Sequence, residues 1–167
     1  MTLKPQKALF KITATALTLA SISATFNYSS VQAETANFDI LATGFQSDNF
    51  EVYYSQGNDL YDLKKYAEAI TLYDQVLEIN PNHYNAWYFR GIALNRLGRY
   101  SEAIDSYDRA VAIKPDHYNA WYWRATSLDR LARYSEAVDS YNRVLEITPE
   151  HQNALYFRSV ALSRLRN

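Results

Sequence analysis

The sequence predicts an all-α chain: a right-handed α-solenoid of antiparallel helix hairpins, with three full units and a C-terminal capping helix. Three observations predict it. The segment NAWYFRGIALNRLGRYSEAIDSYDRAVAIKPDHY, beginning at Asn85, returns from Asn119 as NAWYWRATSLDRLARYSEAVDSYNRVLEITPEHQ, and so sets a period of 34 residues. Self-similarity at such a period marks a stack of identical supersecondary units. Within one unit, Trp87, Gly91 and Leu94 fall at i, i+4 and i+7, and Ala103, Tyr107, Ala110 and Val111 make a second helical stripe. Between the stripes stands the turn signal Gly98-Arg99, and Pro115 follows the second stripe, where its missing N–H stops a helix.

Taken in order, residues 1–33 read as a secretory signal peptide. They carry Lys4, Lys7 and Lys11 and no acid, then an apolar run from Ile12 to Phe26, then Val31-Gln32-Ala33 as a small-x-small cleavage site before Glu34. The run is short and sprinkled with Ser and Thr, below the span of about 20 residues that a membrane helix needs. The alternatives are a leader left uncleaved as a membrane anchor and an organellar transit peptide, the mitochondrial form of which the lack of Arg disfavours. Residues 34–49 mix Gly, Asn, Asp and Ser with a few apolar residues and read as a linker. The repeats are then 50–83, 84–117 and 118–151, with the half-repeat 152–167 as the capping helix. One hairpin cannot bury its own apolar stripe, so stacking on neighbours supplies the core. The small residues Gly91 and Ala103 allow two helix backbones to approach to about 8–10 Å.

Anchor residues recur in register. Tyr53, Trp87, Trp121 and Leu155 share one place; Gly57, Gly91, Ala125 and Ser159 the next; Tyr73, Tyr107 and Tyr141 another; Pro81, Pro115 and Pro149 close the units. With Trp87, Gly91, Leu94, Ala103, Tyr107 and Pro115, the second unit resembles the tetratricopeptide repeat (TPR) pattern W-x2-L-G-x2-Y, A-x3-F, P. The resemblance covers Phe50–Asn167. It departs where Gln56, Arg90, Arg124 and Arg158 replace the expected Leu, and where Tyr takes the aromatic site of A-x3-F. A leader joined to WYxRG-type repeats looks like exported bacterial members, particularly cyanobacterial ones.

Composition narrows the function. There is no Cys, so disulfides, thiolate catalysis and Cys-based metal sites are excluded. Without the leader, fourteen basic residues face eighteen acidic ones, which argues against a nucleic-acid partner. The charge is uneven: Glu34–His83 holds nine acidic and two basic residues, and Tyr84–Asn167 nine acidic and twelve basic. The sequence contains no G-x-S-x-G, no H-E-x-x-H and no phosphate-cradling G-K-[ST] loop, so the expectation is a protein that is not an enzyme and holds no cofactor. His83, His117 and His151 share one repeat position. Equivalent residues of stacked units stand about 8–10 Å apart, whereas zinc ligands must lie about 2 Å from one ion. A solvated inter-repeat loop is expected there, and no metal site.

The resemblance implies that the first helix of each unit lines a concave groove. The matching positions are Tyr54, Tyr88, Tyr122 and Tyr156, an Asn row of Asn85, Asn119 and Asn153, the position held by Asn95, and an Arg row of Arg96, Arg130 and Arg164. Tyr grips a peptide at low entropic cost. Asn amides serve a peptide backbone in both directions, and Arg takes a carboxylate through two parallel bonds. A rival reading makes the Tyr and Asn rows packing residues. Heat-shock cochaperones of the family hold a C-terminal carboxylate in a Lys/Asn/Arg clamp. The matching positions here are Tyr54, Asn58, Phe89, Asn119 and Trp123, of which only Asn58 fits, so no such clamp is expected. Arg90, Arg124 and Arg158 are expected to reach acids of the second helices, such as Glu102 and Glu136. The sequence thus points to an adaptor or assembly factor that binds a partner's peptide or helix in the groove. The alternatives are a weakly self-associating structural unit and a glycan-binding module built on the Tyr ladder. The expected location is the periplasm, the extracellular space or a thylakoid lumen.

Overall fold

The computed structural model describes residues 50–166; the leader, the linker and Asn167 lie outside the described residues. Among the described residues there are seven α-helices and no strand. They are α1 (50–62 as far as it is described), α2 (Tyr66–Ile79), α3 (Tyr84–Arg96), α4 (Tyr100–Ile113), α5 (Tyr118–Arg130), α6 (Tyr134–Ile147) and α7 (Gln152–Leu165). From α2 onward each helix packs on the next in the chain. In addition α3 touches α5, and no comparable contact joins α4 to α6. The first helices of the second and third units, α3 and α5, therefore lie closer together than their second helices, which puts them on the inner side of the stack there.

Each hairpin turns in the same way. Lys64, Gly98 and Ala132 occupy one position of the repeat, and all three have positive φ, at 62°, 75° and 57°. Only glycine adopts this left-handed backbone without steric cost. Arg99 and Arg133 then open the even helices without a side-chain cap and instead pair with Glu102 and Glu136 one turn on. The odd helices are capped differently. Nδ1 of His83, His117 and His151 accepts the backbone N–H of Ala86, Ala120 and Ala154 at 3.0, 3.1 and 3.2 Å. The expected solvated loop is thus a row of half-buried helix caps. The loop prolines are tied in as well: Trp87 and Trp121 donate Nε1–H to the carbonyls of Pro81 and Pro115 at 2.8 and 2.9 Å.

The core is a column of tyrosines against small residues. Tyr73, Tyr107 and Tyr141 are the largest fully buried side chains. A Cβ added to Gly91 would lie 2.5 Å from Tyr107 Cε1, and one added to Gly57 2.8 Å from Tyr73 Cε1. The glycines mark the places where a second-helix Tyr lies flat on the first helix. Tyr73 donates its hydroxyl to Asn58 at 2.9 Å. In the next unit Ile92 stands where Asn58 stood, and the buried Tyr107 hydroxyl has no hydrogen-bond partner. Burial pushes its phenol pKa up, and the nearby Asn95 amide only opposes this.

The arginines that replace the family's Leu rivet neighbouring units. Arg90 donates Nε–H to Asp74 (2.6 Å) and Nη1–H to Ser106 (2.6 Å); Arg124 does the same with Asp108 (2.5 Å) and Ser140 (2.6 Å). Each guanidinium therefore joins the preceding second helix to its own. They do reach acids of second helices, but the acids are Asp74 and Asp108. Glu102 and Glu136 are held by Arg99 and Arg133 instead. Arg158 finds an amide, Asn142, in place of the carboxylate (3.1 Å).

Candidate groove on the inner helices

The residues expected on the inner face separate into three groups. The Tyr row is shared with packing. Tyr54, Tyr88 and Tyr122 are half-buried, and each leans on the capping His of the next unit, with ring centroids 4.7, 4.7 and 5.2 Å apart. Each also meets the core Tyr of its own hairpin at 6.2, 6.3 and 6.0 Å. Burial pushes the Tyr88 phenol up to about 12. Tyr156 alone of the row is open, at 63% exposure, because no further described helix follows α7. The row is thus a set of inter-unit wedges that show solvent one edge.

The Asn row sits at the other rim from the Arg row. Asn85, Asn119 and Asn153 lie in the first turns of α3, α5 and α7. Arg96 and Arg130 close α3 and α5. Eleven residues of helix at 1.5 Å each separate Asn85 from Arg96 by about 16 Å, too far for one ligand side chain to meet both. Asn119 borders a shallow hollow of about 200 Å³ together with Lys114, Asp116, His117 and Tyr118.

At the Arg rim the structure gathers three expected residues into one cavity. Asn95, Arg96 and Arg130 line a hollow of about 240 Å³ with Ile92, Tyr100, Trp123 and Thr126. Asn95 donates its amide to Ser127 of the next unit at 3.1 Å. Arg96 lies over the Trp123 ring, 5.9 Å from its centre, with the Tyr61 hydroxyl 3.5 Å from its Nε. Arg164, expected in the same row, is engaged instead: its Nη1 donates to both oxygens of Asp129 at 3.0 Å, and it lies over Tyr134 at 5.4 Å. The cavity therefore brings together two of the three row arginines. Trp123 and Tyr100 belong to it and were not singled out as lining residues. Trp123 carried a signal, for it interrupts a position filled by Phe89 and Phe157 in the flanking units. The positions that match the cochaperone clamp do not form one: Asn58, the single fit, accepts the Tyr73 hydroxyl.

Among the described residues no group of His, Cys, Asp and Glu could hold a metal ion, and no helix is long and apolar enough to cross a membrane. The inner face, with its clefts between stacked first helices, is that of a helical-repeat binding protein. Two sequence profiles of the tetratricopeptide repeat match residues 54–118 and 94–161. Together they run from the first helix to the last, and the chain belongs to the tetratricopeptide repeat family.

Many solved structures share the fold, 285 chains in all. The first TPR of Spaghetti (RPAP3), bound to the HSP90 peptide SRMEEVD, is 26% identical with a TM-score of 0.70, covering 72% of this chain and 96% of that one. A MamA point mutant is 32% identical with a TM-score of 0.57, covering 60% of this chain and 73% of that one. The Sgt2 TPR domain from Aspergillus fumigatus is 22% identical with a TM-score of 0.65, covering 71% and 80%, and shows the fold alone. No curated protein sequence matches the chain.

Proposed function

We propose that this protein is a non-enzymatic adaptor that docks a segment of a partner protein along the inner face of its stacked first helices. The observation that carries the reading is the convergence of Asn95, Arg96 and Arg130, from two different repeats, on one solvent-open cavity of that face. The Arg90 and Arg124 rivets, by contrast, are held in ion pairs with Asp74 and Asp108. Arg96 and Arg130 bond to no carboxylate among the described residues. The family's solenoids bind partner proteins through such faces, and the RPAP3 domain bound to an HSP90 peptide supports a peptide as occupant. The missing clamp argues against that same peptide. The Tyr rings are wedged against His and Tyr neighbours, which favours a peptide laid across them over a sugar stacked on their faces. Action outside the cytoplasm rests on residues 1–33 alone; N-terminal sequencing of exported protein beginning at Glu34 supports it, and an intact leader on a cytosolic product removes it.

The test is to fill the cavity. Thr126→Trp should eliminate capture of partner proteins by the full chain, while Arg109→Glu, an exposed change on α4, leaves it intact. Equal capture by the Thr126 variant, with circular dichroism unchanged, rules out the inner face.

A further inference from the structure

Resting on that groove reading, we propose that the cavity at the C-terminal ends of α3 and α5 is a specificity pocket for one acidic side chain of the partner, its carboxylate held between Arg96 and Arg130. The argument begins with charge. Arg96 and Arg130 are the arginines that line the cavity, and several arginines elsewhere among the described residues are ion-paired. Arg90, Arg99, Arg124, Arg133 and Arg164 each hold a carboxylate. Asp129 is the acid next to Arg130 in sequence, and Arg164 takes both of its oxygens. Arg96 and Arg130 are left facing one hollow with their charge uncompensated.

Geometry adds orientation. Arg96 lies over the Trp123 ring and beside the Tyr61 hydroxyl, so its planar fork is held before a ligand arrives. Holding a guanidinium in advance lowers the entropic cost of a two-bond carboxylate contact. Asn95 is oriented by Ser127, to which it donates an amide hydrogen. The walls discriminate against an apolar or aromatic occupant, because the Trp123 face is already covered by a cation. A ligand there gains most by supplying two acceptor oxygens and a negative charge, as an aspartate or glutamate side chain does. The pocket is separate from the clamp positions of the cochaperones. Of those it shares only Trp123, and Tyr54, Asn58, Phe89 and Asn119 lie elsewhere along the helices.

The experiment uses the full chain on an array of random-sequence dodecapeptides, half of the serine-containing ones also printed as phosphoserine. The captured peptides should be enriched in Asp or Glu at one fixed position relative to the other preferences. Arg96→Gln with Arg130→Gln should remove that enrichment and weaken the best acidic peptides about tenfold or more, with a much smaller loss for neutral captured peptides. Arg109→Glu should change neither. A populated array without acid preference, or an acid preference unchanged in the double variant, overturns the pocket and leaves the adaptor reading standing. Enrichment of phosphoserine with Asp and Glu no better than Asn and Gln overturns the carboxylate assignment. An array with no captured peptide overturns the groove reading and the pocket with it. The double variant changes only rim side chains, so circular dichroism and melting matching the parent keep the comparison valid. Lys at both positions separates charge from fork geometry: retained enrichment at reduced affinity is expected, and loss equal to the Gln pair overturns the role of charge.

Discussion

Gly91 offers the sharpest test of how closely the hairpins are packed. A methyl group there would meet Tyr107 Cε1, Cδ1 and Cζ at 2.5, 2.8 and 2.9 Å. Carbon atoms settle at about 3.5–4.0 Å, so the ring must yield about 1 Å or more. Tyr107 is fully buried and has no open side to move toward. Overpacking of this kind costs about 1–3 kcal/mol. Against it stands the helix preference of Ala over Gly, about 1 kcal/mol in the opposite direction. Gly91→Ala should therefore lose about 1 kcal/mol net, and Gly91→Leu about 3 kcal/mol or more, because no rotamer clears the ring. The third unit supplies the converse. There Ala125 already lies against the buried Tyr141, both of them enclosed. Ala125→Gly should cost about 2 kcal/mol, half from lost helix preference and half from a buried methyl removed. Urea titration and thermal melting followed by circular dichroism read both. The same exchange is thus destabilising in opposite directions in two units of one repeat. If Gly91→Ala raised the melting temperature, as helix preference alone demands, α3 and α4 would not approach as closely as described and the packing argument would fail.

Two further predictions follow from the polar contacts. The first concerns pH: burial holds the imidazoles of His83 and His117 below their ordinary pKa, and Nδ1 of each must stay unprotonated to cap a helix. The unfolded chain then binds more protons than the folded one, so stability is full above the unfolded value of about 6.5 and declines as pH falls below it. The melting temperature should be lower at pH 5 than at pH 7.5, and His83→Asn with His117→Asn should flatten that difference; an equal fall in the Asn pair would show that the caps are not its source. The second concerns two tyrosines. Tyr107→Phe removes an unpartnered buried hydroxyl and should be neutral or stabilising, whereas Tyr73→Phe breaks the bond to Asn58 and should cost about 1 kcal/mol in urea unfolding. Equal losses in the two would mean that Tyr107 has a partner.

Much of this protein was legible along the chain. The repeat period, the stripes at i, i+4 and i+7, the small residues and the closing prolines are local features, and local features determine where helices start, stop and hide their apolar sides. The helix pairs from α1 to α7, and the burial of Tyr73, Tyr107 and Tyr141, needed no more than that. What each polar side chain touches was decided at another level. Arg90 and Arg124 meet partners sixteen residues away on both sides, an offset present in the sequence but silent until two hairpins are set against each other. Glu102 was as plausible a partner as Asp74, and only the crossing of helices chose between them. The three His residues looked like loop residues because a cap is defined by backbone direction, which composition does not carry. The division of the Arg row is of the same kind. Arg96, Arg130 and Arg164 share one position in the repeat, and 35 residues before them stand Tyr61, Asn95 and Asp129, so the contact that neutralises Arg164 gives Arg96 only a hydroxyl; that this offset brings side chains together at all is set by how one unit lies on the next. Sequence alone determined the helices and their stacking, since both follow from periodic burial. The tertiary structure decided which offsets along the chain become contacts between polar side chains, since that depends on distances of a few ångströms between elements far apart in sequence.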